Sequence, residues 1–104
     1  MFDLKQSGFP RLMQLKGGAL KVFLCLADLM RGRNMLWIER EEREYISKVT
    51  GLTDGRVKAL LSQIIKADLI RRFSRGYYMV NPYIAIVHGA SMKDMERWIL
   101  KRGK

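Results

Sequence analysis

Between residues 53 and 66, side chains that carry charge or donate hydrogen bonds recur at helical spacing around an apolar stripe. Val57, Leu60 and Ile64 form the stripe at i, i+3 and i+7, so the opposite side of a helix here is expected to face outward. That side has small residues at its centre and long cationic or amide side chains at its borders. Such a surface allows close approach to base edges and phosphates. The candidate contact residues are Thr53, Gly55, Arg56, Lys58, Ala59, Ser62, Gln63 and Lys66.

Two of these side chains suit particular bases. Arg56, near the start of the helix, is the candidate for a guanine contact, and Gln63 is a weaker candidate for adenine, because these side chains pair bidentately with those bases. Asp54 opposes phosphate contact and instead suits the start of a helix. The alternative interpretation of the same residues is an ordinary solvated helix face.

A second cationic cluster follows in a predicted β-hairpin. Residues 69–73 (LIRRF) and 77–80 (YYMV) have strand-like composition, and Gly76 in the turn between them tolerates positive φ. Arginines on such a hairpin can bind phosphates or enter a minor groove. The candidate contact residues here are Arg71, Arg72, Ser74 and Arg75.

The elements that must position both clusters follow from periodicity and punctuation. Residues 19–31 predict an almost wholly apolar central helix, 35–38 a short strand, and 39–51 and 53–66 two further helices before the hairpin at 69–80. This order predicts a mainly α fold with a small antiparallel β-sheet, of the winged helix-turn-helix type. We expect one domain over residues 1–104 with a core of about 17–89.

The two helices on either side of Gly51 have the spacing of a helix-turn-helix. Ser47 is small where the helices would touch, Gly51 suits a left-handed turn, and Val57 and Leu60 would hold the second helix on the body. Thr53 is a good N-cap for that second helix.

The chain ends are less regular. Pro10 argues against a helix within residues 1–16, and the apolar segment 83–87 has no clear type. A last helix, predicted over about 91–102 with a capping box from Ser91, either forms a dimer contact or folds back on the core. Its candidate dimerisation residues are Met92, Met95, Trp98 and Ile99.

The composition favours a polyanionic partner. Twenty Lys and Arg against 10 Asp and Glu give a net charge of +10, which attracts nucleic acid or an anionic membrane surface; the alternative is that charge only confers solubility. No apolar run is long enough to span a bilayer, and the N-terminus lacks a secretory signal. The lone cysteine, Cys25, is expected to be a buried free thiol in a reducing cytoplasm.

Catalysis is not expected. The chain has one histidine, His88, and no group of residues at metal-ligand or nucleophile spacing. We therefore predict no enzyme activity, no cofactor and no metal.

Three segments between residues 21 and 89 resemble the RepL-type plasmid replication proteins: KVFLCLADLM, ISKVTGLTDGRVKALLSQIIKADLIRR and RGYYMVNPYIAIVHG. The resemblance implies a winged helix that binds double-stranded DNA sequence-specifically, in plasmid or phage replication initiation at an origin or in transcription regulation at an operator. A homodimer, in contact with replication or transcription machinery, is expected. The alternatives are a protein-interaction module without nucleic acid and attachment to a membrane surface through the basic tail.

Overall fold

A computed structural model of the protein describes residues 2–87 and 92–100. Within them, helices and short antiparallel strands form a compact mixed α/β architecture. The helices are α1 (Phe9–Met13), α2 (Ala19–Asp28), α3 (Arg40–Thr50), α4 (Asp54–Lys66) and α5 (Met92–Leu100). The strands are β1 (Phe2–Leu4), β2 (Met35–Trp37), β3 (Ile70–Ser74), β4 (Tyr77–Val80) and β5 (Ala85–Val87).

The core lies where α2, α3 and α4 meet. Phe23 and Leu26 of α2 are fully buried, as are Ile46 of α3 and both Leu60 and Ile64 of α4. The prediction that residues 19–31 form the central helix is confirmed, although the helix ends three residues earlier. Burial of such side chains contributes about 1.5–3 kcal/mol each, so packing at this junction stabilises the fold.

Cys25 is a buried free thiol, as predicted. Burial raises its pKa, and the negative charge of Asp28 raises it further. The thiol is therefore neutral and poorly nucleophilic at neutral pH.

The α3–α4 connection has the predicted turn geometry. Gly51 is left-handed at φ 79°, and its N–H donates to the carbonyl of Ser47 at the end of α3. The Thr53 hydroxyl oxygen accepts a hydrogen bond from the N–H of Arg56 at 3.2 Å and so caps the start of α4. These two local signals fix the angle at which α4 leaves α3.

The larger sheet has three antiparallel strands in the order β2-β4-β3. Trp37 lies opposite Tyr77, and Gly76 in the β3–β4 turn has φ 78°. One sheet face joins the helical core through buried residues such as Leu36 and Ile70. The other face packs against α5 through Trp98. The short strand and the hairpin predicted from sequence are thereby confirmed.

The N-terminal segment departs from expectation. Pro10 lies in the first turn of α1, where a missing N–H breaks no helical hydrogen bond, so the prediction that it prevents a helix was wrong. The segment of uncertain type near 83–87 forms β5, which pairs with β1 in a separate two-stranded sheet that the sequence did not predict.

Some predictions lie outside the described residues: those for His88, for the Ser91 capping box and for the Met92 side chain. Among the residues that are described, no helix combines the length and apolarity needed to cross a membrane.

A buried asparagine joins the two sheets. Asn34 is fully buried, and its Nδ2 donates to the carbonyl oxygens of Val80 at 3.0 Å and Ala85 at 2.7 Å. Its backbone is left-handed, with φ 60°, a conformation that asparagine tolerates better than most residues. One side chain thus fixes the distance between β4 and β5.

We expect Asn34→Ala to lower the free energy of unfolding by about 2–4 kcal/mol, because two buried carbonyl groups lose their donor. Chemical denaturation measures the change. The matched control is Arg33→Ala: Arg33 is exposed and also left-handed, with φ 65°, so its loss should cost less than about 0.5 kcal/mol. Equal effects of the two substitutions would show that the hydrogen bonds of Asn34 do not stabilise the fold.

Candidate nucleic-acid interface

The outward side of α4 is open, because its apolar stripe is completely buried. Val57, Leu60 and Ile64 have no exposed surface. The predicted contact residues on the helix are all exposed, namely Thr53, Gly55, Arg56, Lys58, Ala59, Ser62, Gln63 and Lys66. Among them, Thr53 has a structural task as the N-cap.

Within the described residues, neither packing nor a turn requires a glycine at position 55. It is helical and exposed, and a Cβ added to it would meet no atom within 4 Å. Glycine in a helix costs about 0.5–1 kcal/mol relative to alanine. The backbone of α4 at Gly55 is therefore open to solvent and uncovered by any side chain of its own.

Arg56 and Lys58 border α4 on opposite sides. A guanidinium nitrogen of Arg56 lies 3.1 Å from the position that a Cβ on Gly17 would occupy, next to the loop that precedes α2. Lys58 lies on the α3 side, with its Nζ 3.4 Å from a carboxylate oxygen of Asp54. The two borders of α4 therefore present cations in two different directions.

A groove runs between α3 and α4. The Arg43 guanidinium donates from Nε to Asp54 Oδ1 at 3.2 Å, which joins the two helices at one end of the groove. We call it the α3–α4 groove, and its lining residues are Arg40, Arg43, Glu44, Ser47, Lys48, Asp54 and Lys58.

A second groove runs between α3 and the β3–β4 hairpin. We call it the hairpin groove, and its lining residues are Ile38, Glu39, Arg40, Arg43, Arg72, Arg75, Gly76 and Tyr78. Arg40 and Arg43 line both grooves, so a continuous cationic surface extends from α4 across α3 to the hairpin. The predicted residues Arg72 and Arg75 lie on this surface, and Ser74 is exposed beside them.

Carboxylates on this surface already have partners. Glu44 accepts a hydrogen bond from Arg40 Nε at 3.1 Å, and Asp54 lies between Arg43 and Lys58. Glu39 takes part in a capping box with Glu42 at the start of α3. Each acid thus anchors a cation or a helix end.

Arg71, a predicted hairpin contact, is not among the residues that line these two grooves. Its guanidinium binds the Asp68 carboxylate at 2.7 and 2.8 Å, lies 3.9 Å from the centroid of the Trp98 ring and donates to the Trp98 carbonyl. It therefore fastens α5 to the sheet.

The candidate dimerisation residues separate into two groups. Trp98 is 4% exposed and packs against Met35 and Met79 of the chain's own sheet. For this residue, packing of the last helix against its own chain is the alternative that the structure has. Ile99 is 61% exposed, and Met95 is partly exposed. An exposed apolar edge of α5 thus remains open to a partner.

Arg40, Arg43 and Lys48 line the α3–α4 groove but were not among the contact residues predicted from sequence. Arg40 and Arg43 are three residues apart and therefore share one side of a helix. That side could have been identified, but only the fold shows that it borders both α4 and the hairpin.

No family model, curated protein or solved structure matches this chain significantly. The resemblance to the RepL-type proteins stays a prediction, and the function must be argued from the geometry above.

We expect the carboxyl of Asp54 to titrate below its ordinary value. Partial desolvation acts against this, but hydrogen bonds from Arg43 and Lys58 and their positive charges outweigh it and lower the pKa. The interaction is present at neutral pH and is lost as the pH falls through the lowered value.

Carboxyl NMR titration measures this pKa directly. Arg43→Gln should move the midpoint upward toward the ordinary aspartate value, whereas Arg31→Gln, a change in an exposed arginine after α2, should leave it in place. An unchanged midpoint in Arg43→Gln would show that Arg43 does not hold Asp54.

Proposed function

We propose that this protein is a winged helix-turn-helix that binds double-stranded DNA sequence-specifically. The order of α2, β2, α3, α4 and the β3–β4 hairpin, with sheet order β2-β4-β3, supports the winged-helix assignment. The observation that carries the proposal is the continuous cationic surface formed by the α3–α4 groove and the hairpin groove. The stability of the fold alone does not require its cationic side chains to form one continuous surface.

In this proposal α4 enters the major groove and the hairpin follows the adjoining backbone. The small residues Gly55 and Ala59 allow close approach, and Gln63 can reach base edges. Arg40 and Arg43 of α3, together with Arg72 and Arg75 of the hairpin, neutralise phosphates on the same side.

We propose action in the cytoplasm in replication initiation at an origin of plasmid or phage type, which the resemblance to RepL-type proteins supports. The alternative role is repression or activation at an operator. Selection of bound sites from random duplexes separates the two, because an origin is expected to yield a repeat array and an operator a single palindrome.

A homodimer is proposed on the basis of the exposed edge of α5. Ile99 and Leu100 are 61% and 82% exposed, and symmetric half-sites are usually read by symmetric dimers. The same edge can serve a different protein partner, and replication or transcription machinery would then be candidates.

The central prediction concerns two arginines with different tasks. We expect Arg56→Ala to cost about 1–3 kcal/mol of binding free energy and to relax preference at one base pair, because it removes a base contact. Arg75→Ala should weaken all duplexes alike and flatten the log–log salt dependence by about one unit. Contact with about five phosphates predicts a wild-type slope of roughly −4 to −5.

Fluorescence anisotropy with specific and scrambled duplexes over a salt series measures both effects. The matched control is Arg31→Ala, which removes an equal charge at an exposed position after α2 that is not among the predicted contacts. If the Arg56 and Arg75 variants retain duplexes at low salt as well as this control does, the proposed binding mode is wrong.

Gly55→Ala gives a second test in which stability and binding change in opposite directions. The added methyl group meets no atom of the described chain, so thermal unfolding should show a gain of about 0.5–1 kcal/mol. Duplex affinity should fall, because the methyl group intrudes on the closest part of the interface.

The matched control is Gly32→Ala, at an exposed glycine after α2 where an added Cβ also meets no atom within 4 Å; its duplex affinity should not change. A stabilised Gly55→Ala variant with unchanged duplex affinity would show that DNA does not approach the start of α4 closely.

A further inference from the structure

Three aromatic side chains form a row across the outer face of the three-stranded sheet. Trp37 of β2 lies directly opposite Tyr77 of β4, and their ring centroids are 4.5 Å apart. The strand register shifts between Arg72 and Ser74, and Phe73, at this shift, packs with Tyr77 against the Met35–Met79–Trp98 cluster. Each of the three strands therefore contributes one ring to the same face.

The row becomes more accessible toward Trp37. Trp37 is 49% exposed, whereas Tyr77 and Phe73 are partly buried. Trp98 of α5 covers the neighbouring residues Met35 and Met79 but leaves the Trp37 ring at the surface. An indole that remains half in water forgoes part of the burial energy that tryptophan usually contributes.

Cations border the row at its Phe73 end. Phe73 lines a groove with Lys93 and Arg97 of α5, and Glu96 lines it as well. This end of the row therefore carries more positive than negative charge.

We propose that this face binds single-stranded nucleic acid, with successive bases stacked on the aromatic row and their phosphates near the flanking cations. Sheet faces with exposed aromatic residues and basic borders bind single strands in this way, because every base has a ring face to stack. A duplex fits poorly, since its bases are already stacked on one another. The proposal adds a second binding face to the one described above and does not depend on it, because the hairpin groove lies on the opposite side of the sheet.

The first test is affinity for short oligo(dT) and oligo(U), which form no duplex, measured by fluorescence anisotropy. Trp37→Ala should weaken binding by about 5- to 150-fold, the loss expected for one base–aromatic stack. The matched control, Tyr45→Ala, removes a ring of similar exposure, 42%, on α3 and should bind like the wild type.

The second test uses intrinsic fluorescence and does not depend on the folding of the alanine variant. The chain has two tryptophans, and Trp98 is only 4% exposed, so a bound strand should quench Trp37 selectively. Trp37→Phe keeps a ring for stacking, so it should retain affinity within a few-fold while losing the quenching.

The proposal is overturned if saturating oligomer leaves the wild-type emission unchanged, or if Trp37→Ala and Tyr45→Ala bind the oligomers equally. It is also overturned if Trp37→Ala changes only self-association in sedimentation, which would make this face an interface between copies of the chain. A loss of duplex binding in Arg75→Ala tests the separate duplex proposal and leaves this one standing.

Discussion

Val57, Leu60 and Ile64 of α4 are completely buried against α2 and α3. Rotation of α4 about its axis would expose these side chains, at a cost of about 1.5–3 kcal/mol for each. The orientation of α4 is therefore set by its apolar side, and its polar side has no freedom to turn inward. The exposure of Gly55 and the separation of Arg56 from Lys58 both follow from this one packing constraint.

A second constraint acts on the hairpin. Arg71 joins β3 to Asp68 and to both the ring and the carbonyl group of Trp98 in α5. A cation held against an indole and a carboxylate in a partly buried site is more strongly held than an exposed ion pair. α5 is thus held firmly against the sheet, and Trp37 lies at the margin of the face that α5 covers.

The sequence predicted those parts of the fold that depend on local signals. The periodicity of residues 54–66, the left-handed Gly51 and the Thr53 cap are all short-range, and the structure has them where they were expected. Pro10 was misinterpreted because a proline interrupts a helix at an interior position but is favourable in the first turn, where Pro10 lies. The position of Pro10 relative to the helix start, not the residue type, determined whether a helix could form.

Long-range pairings could not be predicted in the same way. Arg71 and Trp98 are 27 residues apart. The spacing of arginines in the hairpin does not distinguish one that binds another part of its own chain from one that contacts a phosphate. The pairing of β1 with β5 likewise joins residues far apart in the chain, such as Phe2 and Val87. The cations of α3 were visible in the sequence, but their significance depends on which elements α3 separates.

The ion pairs of the cationic surface suit exchange with a phosphate. Asp54 holds Arg43 and Lys58 beside α4, and both ends of these pairs are at least partly exposed. Exposed pairs of this kind contribute little to stability because water screens them, so opening them costs little. A phosphate offers the same cations a comparable partner, and binding to a duplex also releases condensed counterions. If the protein binds DNA as proposed, the carboxylate keeps these cations in position without preventing their transfer to phosphates.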